Sequence, residues 1–260
     1  MAAGIPIEKA QQYVKDFRAL LDANETLDAF TEKKLRVELS SANTTTTNLA
    51  LSYLDVITNK EESGLKFLRL CLDPSVNDFG LATHYHHVLL ATKRYSEMRR
   101  VAYVLAEKYP SKMFSYLAYS WAYRYGERPE LERFIDEHIK LLSDDEGRED
   151  AMKHKDELLS EMDAIYDSSK CSQVQLHALA SIIWSVLSDF NASTGYVQLS
   201  GRSGGAYVVD VKNLDSKTIA KMNFELADRI CDESQLEGSS LVARFSSPRQ
   251  LHAGVSYVAN

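Results

Sequence analysis

The chain has 260 residues, 45% of them hydrophobic and 26% charged, with a formal net charge of -7. This is the composition of a soluble globular chain with room for one large core or two modest ones, and it excludes a disordered or membrane-embedded chain. The acidic balance also argues against broad binding to nucleic acid or anionic lipid, because such surfaces work by cationic excess.

The 11 Gly and 5 Pro favour long uninterrupted helices over many short strands. The first residues, MAAGIPIEKAQQYVKDF, carry no apolar run before a cleavage site, so no secretory signal is expected and the chain reads as cytoplasmic. Cys71, Cys171 and Cys231 lie far apart with no Cys-x-x-Cys pair, which predicts reduced thiols rather than a zinc knuckle or a disulfide framework. Asn43-Thr44-Thr45 and Asn191-Ala192-Ser193 match the glycosylation pattern but, with no signal peptide, are read as polar loops.

From residue 6 to about 190 the apolar residues recur at helical spacing. Val14, Phe17, Leu20 and Leu21 form one stripe, Leu49, Tyr53, Val56 and Ile57 a second, and Leu65, Leu68 and Leu72 a third. Stops are expected at Asn24-Glu25, the Thr44 to Thr47 run, Asn59-Lys60, Asp73-Pro74, Tyr109-Pro110, Gly126 to Pro129 and Ser143 to Gly147. Helices joined by turns this short pack antiparallel.

The stretch FSYLAYSWAYRY, residues 114 to 125, holds six aromatic rings. Its alternating rings could form a strand, but Ala118, Ala122 and the Ser111 cap after Pro110 predict a helix, with no strand between 114 and 125. As a helix it has two apolar faces, Tyr116, Tyr119 and Tyr123 on one and Phe114, Leu117, Trp121 and Tyr125 on the other. A helix apolar on both sides is sandwiched.

Residues 147 to 168 read as a charged outer or capping helix with a thin stripe of Met152, Leu159, Met162 and Ile165. Residues 175 to 190, QLHALASIIWSVLSDF, read as a buried helix. After Asn191 the pattern changes. TGYVQLS, GAYVVDV, SSLVARFSS and VSYVA are strand-like, with the amphipathic helix SKTIAKMNFELADRICDE between the second and third. The order β-β-α-β-β predicts a small antiparallel or mixed sheet backed by one helix. At about 70 residues it is marginal for independence and is expected to lean on the helix 175 to 190.

Pro74 and Pro110 lie 36 residues apart, and the segment ending at Pro110, KRYSEMRRVAYVLAEKYP, resembles the second half of a tetratricopeptide repeat, whose period is 34. Tyr95 and Glu97 match its turn and helix start, and Pro110 its closing proline. Tyr116, Tyr119, Ser120 and Tyr123 stand where the motif has tryptophan, leucine, glycine and tyrosine. The resemblance covers 79 to 142 and, more faintly, 45 to 76. It departs from the motif at Met98 and His86, where small residues are preferred, so an irregular pitch is expected. It implies a concave face carrying Phe114, Leu117, Trp121, Arg124 and Tyr125, the peptide groove of that family.

Other candidate chemistry is sparse. His84 and His87 sit three apart on one helical face beside His86, without a third ligand in place for a metal. SGRSGGAY, with Arg202, is rich in glycine, but a strand rather than a helix follows it, which favours a hairpin turn over a phosphate cradle. No nucleophile elbow, metalloprotease or kinase signature is present.

The sequence therefore predicts a mostly α protein. A tetratricopeptide-like helical-hairpin array over 1–190 is followed by a small α/β element over 191–260 packed on it. The expected function is non-catalytic protein or peptide binding, as an adaptor, chaperone-like or regulatory protein, antitoxin and immunity proteins included. No cofactor, metal or membrane is expected, and a homo-oligomer is left open. A second reading is an enzyme or small-ligand sensor with a site between the C-terminal element and the helices. A third is a single-strand nucleic-acid binder using the rings with Arg124 and Arg128, against which stand Glu127, Glu130 and Glu132 beside them.

Overall fold

A computed structural model describes residues 5–201 and 204–248. Among them are eleven α-helices and a small C-terminal sheet of three strands, so the protein is mostly helical. Residues up to Thr92 form one compact unit and those from Lys93 a second. No helix among the described residues is long and apolar enough to cross a membrane.

The first unit holds α1 (Ile7–Asp22), α2 (Ala29–Leu39), α3 (Thr45–Ile57), α4 (Glu61–Leu68), a 3-10 turn (Arg69–Leu72) and α5 (Phe79–Ala91). Caps chosen by sequence set the boundaries. The Asp28 carboxylate accepts from the Phe30 and Thr31 amides, and Asp78 accepts from Leu81. The Thr44 to Thr47 run, expected as a stop, is a cap followed by a first turn: Thr44 and Thr47 form a reciprocal capping box. Asn24 and Asn59 end their helices at positive φ, 54° and 60°, a conformation Asn tolerates better than most residues. The α3 stripe is buried through Tyr53, Val56 and Ile57, and α1, α2 and α4 pack on α3.

The second unit holds α6 (Tyr95–Lys108), α7 (Lys112–Tyr125), α8 (Arg128–Leu141), α9 (Arg148–Ser169), α10 (Gln173–Asp189), β1 (Ser193–Ser200), β2 (Ala206–Lys212), α11 (Ser216–Asp232) and β3 (Val242–Ser246). β1 pairs antiparallel with β2, Val197 opposite Val209 and Leu199 opposite Tyr207. β2 pairs parallel with β3 across the α11 crossover, Val209 opposite Phe245. The central strand is buried from Tyr207 to Val211. Buried Asp210 accepts from the Ser246 hydroxyl at 2.8 Å.

The sequence pattern changes where α10 ends and β1 begins, but the compact units divide elsewhere. The sheet shares its unit with α6 to α10, and α11 packs on α10, the helix on which the C-terminal element was expected to lean. The first four elements of the expected β-β-α-β-β order are formed; the fifth, VSYVA, lies outside the described residues. The glycine-rich loop joins β1 to β2 as a hairpin connection, with Gly204 and Gly205 at φ +92° and +94°. Arg202 lies outside the described residues.

One expectation is corrected. The charged helix α9 is not an outer cap, because it packs on α8 along one side and on β1 along another. Leu159, Met162 and Ile165 are buried as the stripe suggested, whereas Met152 is 53% exposed. α10 is buried as expected, through Leu176, Leu179, Ile183, Trp184 and Leu187, against α6, α7 and α11.

Gly64 opens the first turns of α4 against α3, where an added Cβ would overlap the Ser52 carbonyl oxygen and stand 2.7 Å from Val56 Cγ2. Backbone cannot give way as a side chain can, so Gly64→Ala is expected to destabilise the protein by about 1–3 kcal/mol, the range for overpacked cores. Denaturant titration of the variant checks this, and an unchanged midpoint would mean that the α3–α4 contact is looser than described.

Candidate functional site

The aromatic segment is a helix throughout, as expected. The Ser111 hydroxyl accepts from the Phe114 amide at its start, and Gly126 in the left-handed region closes its end. An added Cβ at Gly126 would overlap Leu176, so glycine serves both the turn and the packing of α10.

The face expected to be an open groove is filled. Phe114, Trp121 and Tyr125 are 0%, 1% and 3% exposed, and Leu117 is half-buried. The Trp121 ring lies 4.8 Å from the Trp184 ring of α10, 6.1 Å from Tyr125 and 6.3 Å from Tyr95 of α6. The helix α10 thus covers the face that the tetratricopeptide resemblance implied would be open. Sequence reasoning assigned this face correctly as apolar, but nothing local says which remote helix covers it.

Arg124 lies at the inner end of this arrangement. Its guanidinium carbon is 4.8 Å from the Trp121 ring and 5.3 Å from the Trp184 ring. Tyr207 of β2 accepts from the Trp184 indole N–H at 3.3 Å and donates to the Arg124 carbonyl at 2.8 Å, tying α7, α10 and the sheet together. Burial pulls the guanidinium below its ordinary pKa, and the neighbours that act against this are all tyrosines. Among the described residues, no carboxylate pairs with it and it donates no hydrogen bond. Stacking on two indoles contributes about 2 kcal/mol or more per desolvated contact. Removing a cation from water costs several kcal/mol. Arg124 is half-buried, and none of its nitrogens is among the fully buried atoms without a partner, so the N–H donors that meet no described acceptor are left to solvent.

The tyrosine face of α7 meets a different neighbour. Tyr116, Tyr119 and Tyr123, together with Ser120 and Arg124, look toward His154 and Leu158 of α9 and the Gly195–Val197 segment of β1. These elements enclose a cup of about 190 Å³. A register shift between Thr194 and Tyr196 places a bulge in β1 at this wall, where Gly195 leaves room. Tyr123 anchors the wall: its hydroxyl donates to Glu161 Oε2 at 2.6 Å and accepts from the Leu199 amide at 3.0 Å. Burial raises the pKa of both Tyr123 and Glu161. His154 is held neutral because burial lowers its pKa. His154, Leu158, Glu161, Gly195, Trp184 and Tyr207 were not among the sequence-based site residues. The available signal was weak: Trp184 and Tyr207 are polar-tipped rings within otherwise apolar runs.

A larger groove of about 650 Å³ runs between α10 and α11, past His177, Ser181, Ser185 and Arg229. There the cation is already satisfied, since Arg229 pairs with Asp189 at 2.8 Å and Glu225 at 2.7 Å. Glu127, next to His177, is held by Arg99 and by the Tyr103 hydroxyl. Arg128, the other cation of the nucleic-acid reading, pairs with Asp163 at 2.6 Å and Glu132 at 3.2 Å. The cup differs from this groove in that its cation, Arg124, has no carboxylate partner among the described residues.

The histidine cluster of the first unit serves hydrogen bonding. The Tyr53 hydroxyl lies 2.9 Å from His84 Nδ1 and 3.1 Å from His87 Nδ1, and His87 Nε2 reaches Asp22 at 2.8 Å. Among the described residues, no group of three or more His, Cys, Asp or Glu side chains is placed to hold a metal. Cys71 and Cys171 are buried and Cys231 is exposed, and among the described residues none of them forms a disulfide.

Compared with protein-family models, with curated proteins and with solved structures, the chain finds no match.

Because both faces of α7 are packed, Trp121→Ala and Tyr123→Ala are each expected to cost about 3–5 kcal/mol, as for other buried aromatics. Comparable shifts in denaturation midpoint check this; a mild loss at Trp121 alone would restore the open groove.

Burial lowers the pKa of His84, His87, His138, His154 and His177. A group with a depressed folded pKa stabilises the fold above its unfolded pKa and loses that contribution as the pH falls. Stability is thus expected to decline once the pH drops below about 6.5, before the depressed carboxylates Glu146 and Asp215 begin to lose theirs near about 4. Glu161 works with the opposite sign, since its raised pKa favours the fold at low pH. Denaturation at about pH 7.5 and about pH 5.5 measures the balance; equal stability at the two would contradict the buried neutral histidines.

Proposed function

We propose that the chain is a non-catalytic protein that senses or carries a small molecule, bound where the C-terminal sheet meets the helices of the second unit. The observation that carries this reading is the cup between α7, α9 and β1. On its other face α7 is packed solid by ring against ring, yet here about 190 Å³ is left beside rings with polar tips. Aromatic walls with a few convergent polar groups are the common makeup of small-ligand sites. The volume is below that of drug-sized pockets and suits a single ring with one substituent. The lining offers recognition groups but no thiol and no carboxylate, so binding without chemistry is the better reading.

We read the helices as a tetratricopeptide-like hairpin array. What supports this is the 36-residue spacing of Pro74 and Pro110, the first just after the 3-10 turn and the second just after α6. In such an array Phe114, Leu117, Trp121, Arg124 and Tyr125 would line the peptide groove. Here α10 lies over those residues, so the regulatory role is assigned to a small ligand instead of a peptide on that face.

A screen of single-ring fragments followed by amide NMR tests the site. Saturable shifts at Gly195–Val197 and around Leu158 are expected for some fragments, and Leu158→Trp, at a half-buried position, should abolish them while leaving the fold intact. If no fragment shifts these amides at up to about 1 mM, equivalent to about 4 kcal/mol of binding, the cup is not a ligand site.

A further inference from the structure

The ligand class follows from the charge at the wall of the cup. Arg124 is the one arginine or lysine among the cup's lining residues, and no carboxylate lines it. Several other arginines of the second unit have acidic partners, Arg99 with Glu127, Arg128 with Asp163, Arg133 with Glu107 and Arg229 with Asp189, while Arg244 without one is exposed on β3. Arg124 instead faces Trp121 and Trp184, which stabilise its charge but cannot accept its in-plane N–H bonds. In a chain of net charge -7, a cation kept clear of every described carboxylate is available to an external anion.

We propose that the cup binds a small aromatic carboxylate, its ring against the tyrosine rings of α7 and its carboxylate on the Arg124 guanidinium; this rests on the cup being a ligand site. The planar guanidinium fork matches a carboxylate with two parallel hydrogen bonds. The rings that line the cup offer edges and faces to an aromatic body. A phosphate dianion fits less well. A single cation lines the cup, and that cation sits in the last turn of α7, where the helix dipole repels added negative charge.

The chain has two tryptophans, and both contact the Arg124 guanidinium, so intrinsic fluorescence reports directly on its occupancy. Titration of the full chain with benzoate, benzamide and inorganic phosphate compares a ring with charge, the same ring without charge, and charge without a ring. Benzoate is expected to bind about tenfold to a hundredfold more tightly than benzamide, the value of a hydrogen bond to a charged group. Arg124→Gln should erase that preference, and Arg124→Lys, which keeps the charge without the fork, should weaken benzoate by about tenfold. Equal binding of benzoate and benzamide to the unaltered chain would overturn the anion assignment while leaving the cup as a ligand site. Phosphate binding more tightly than benzoate would overturn the carboxylate class. Benzoate affinity unchanged in a folded Arg124→Gln would remove Arg124 as the binding residue. If neither ring compound binds, the inference and the reading of the cup fail together. The benzoate and benzamide comparison needs no variant, so it decides the matter even if Arg124→Gln does not fold.

Discussion

The edge-to-face contact of Trp184 with Trp121, with the Arg124 guanidinium over both indoles, is the contact on which the second unit depends. It joins α10 to α7 across 63 positions of sequence, and without it the aromatic face of α7 would be exposed. The last carbonyls of a helix have no intrahelical partners. The Arg124 carbonyl, in the last turn of α7, takes the Tyr207 hydroxyl, whose oxygen takes the Trp184 indole N–H. One tyrosine thus satisfies a helix end, a buried indole and its own hydroxyl, and in doing so sets the central strand against α7 and α10. Buried polar groups joined in this way are costly to disturb, because loss of one member leaves the others unpaired in a medium of low dielectric.

With α10 covering one side of α7, the tyrosine side is shared by α8, through His138, and by α9 and β1 around the cup. α9 is charged for most of its length, yet it is enclosed along two sides, and its charges are used to position groups. Glu161 takes the Tyr123 hydroxyl, Asp163 takes Arg128, and Lys155 reaches Asp136 at 2.7 Å. These bonds tie α9 to α7 and α8, and the cup lies between α7, α9 and the bulge of β1.

The same physics separates the cup from the larger groove along α10 and α11. Size alone does not mark a binding site, because a groove whose charges are already paired has little to offer a ligand beyond contact area. Arg229 is pinned by two carboxylates, and Glu127 beside His177 by Arg99 and Tyr103. Arg124 has aromatic company only. Differential capacity to pair is what favours the smaller space in the proposed reading.

Local structure was legible in the sequence to a large extent. Ser111 caps α7 as the sequence predicts and Gly126 ends it within the expected Gly126 to Pro129 stop, while Asp28, Asp78 and Asp215, which the sequence reading did not single out, cap their helices by the same local bond. The turn from helical to alternating periodicity at Asn191 marked the start of β1. These features depend on residues within four positions of one another, and backbone sterics and hydrogen bonding settle them there. The fate of the aromatic stretch was different. Its sequence determined that α7 has two apolar faces, but Tyr119, Trp121 and Tyr125 look equally suited to a groove or a core. Only the tertiary structure decided that Trp184 covers one face, that α9 and β1 cover the other incompletely, and that Arg124 is left without an acid. The hydrophobic effect rewards burial of a ring without specifying the partner, so the identity of that partner is a non-local property of the whole chain.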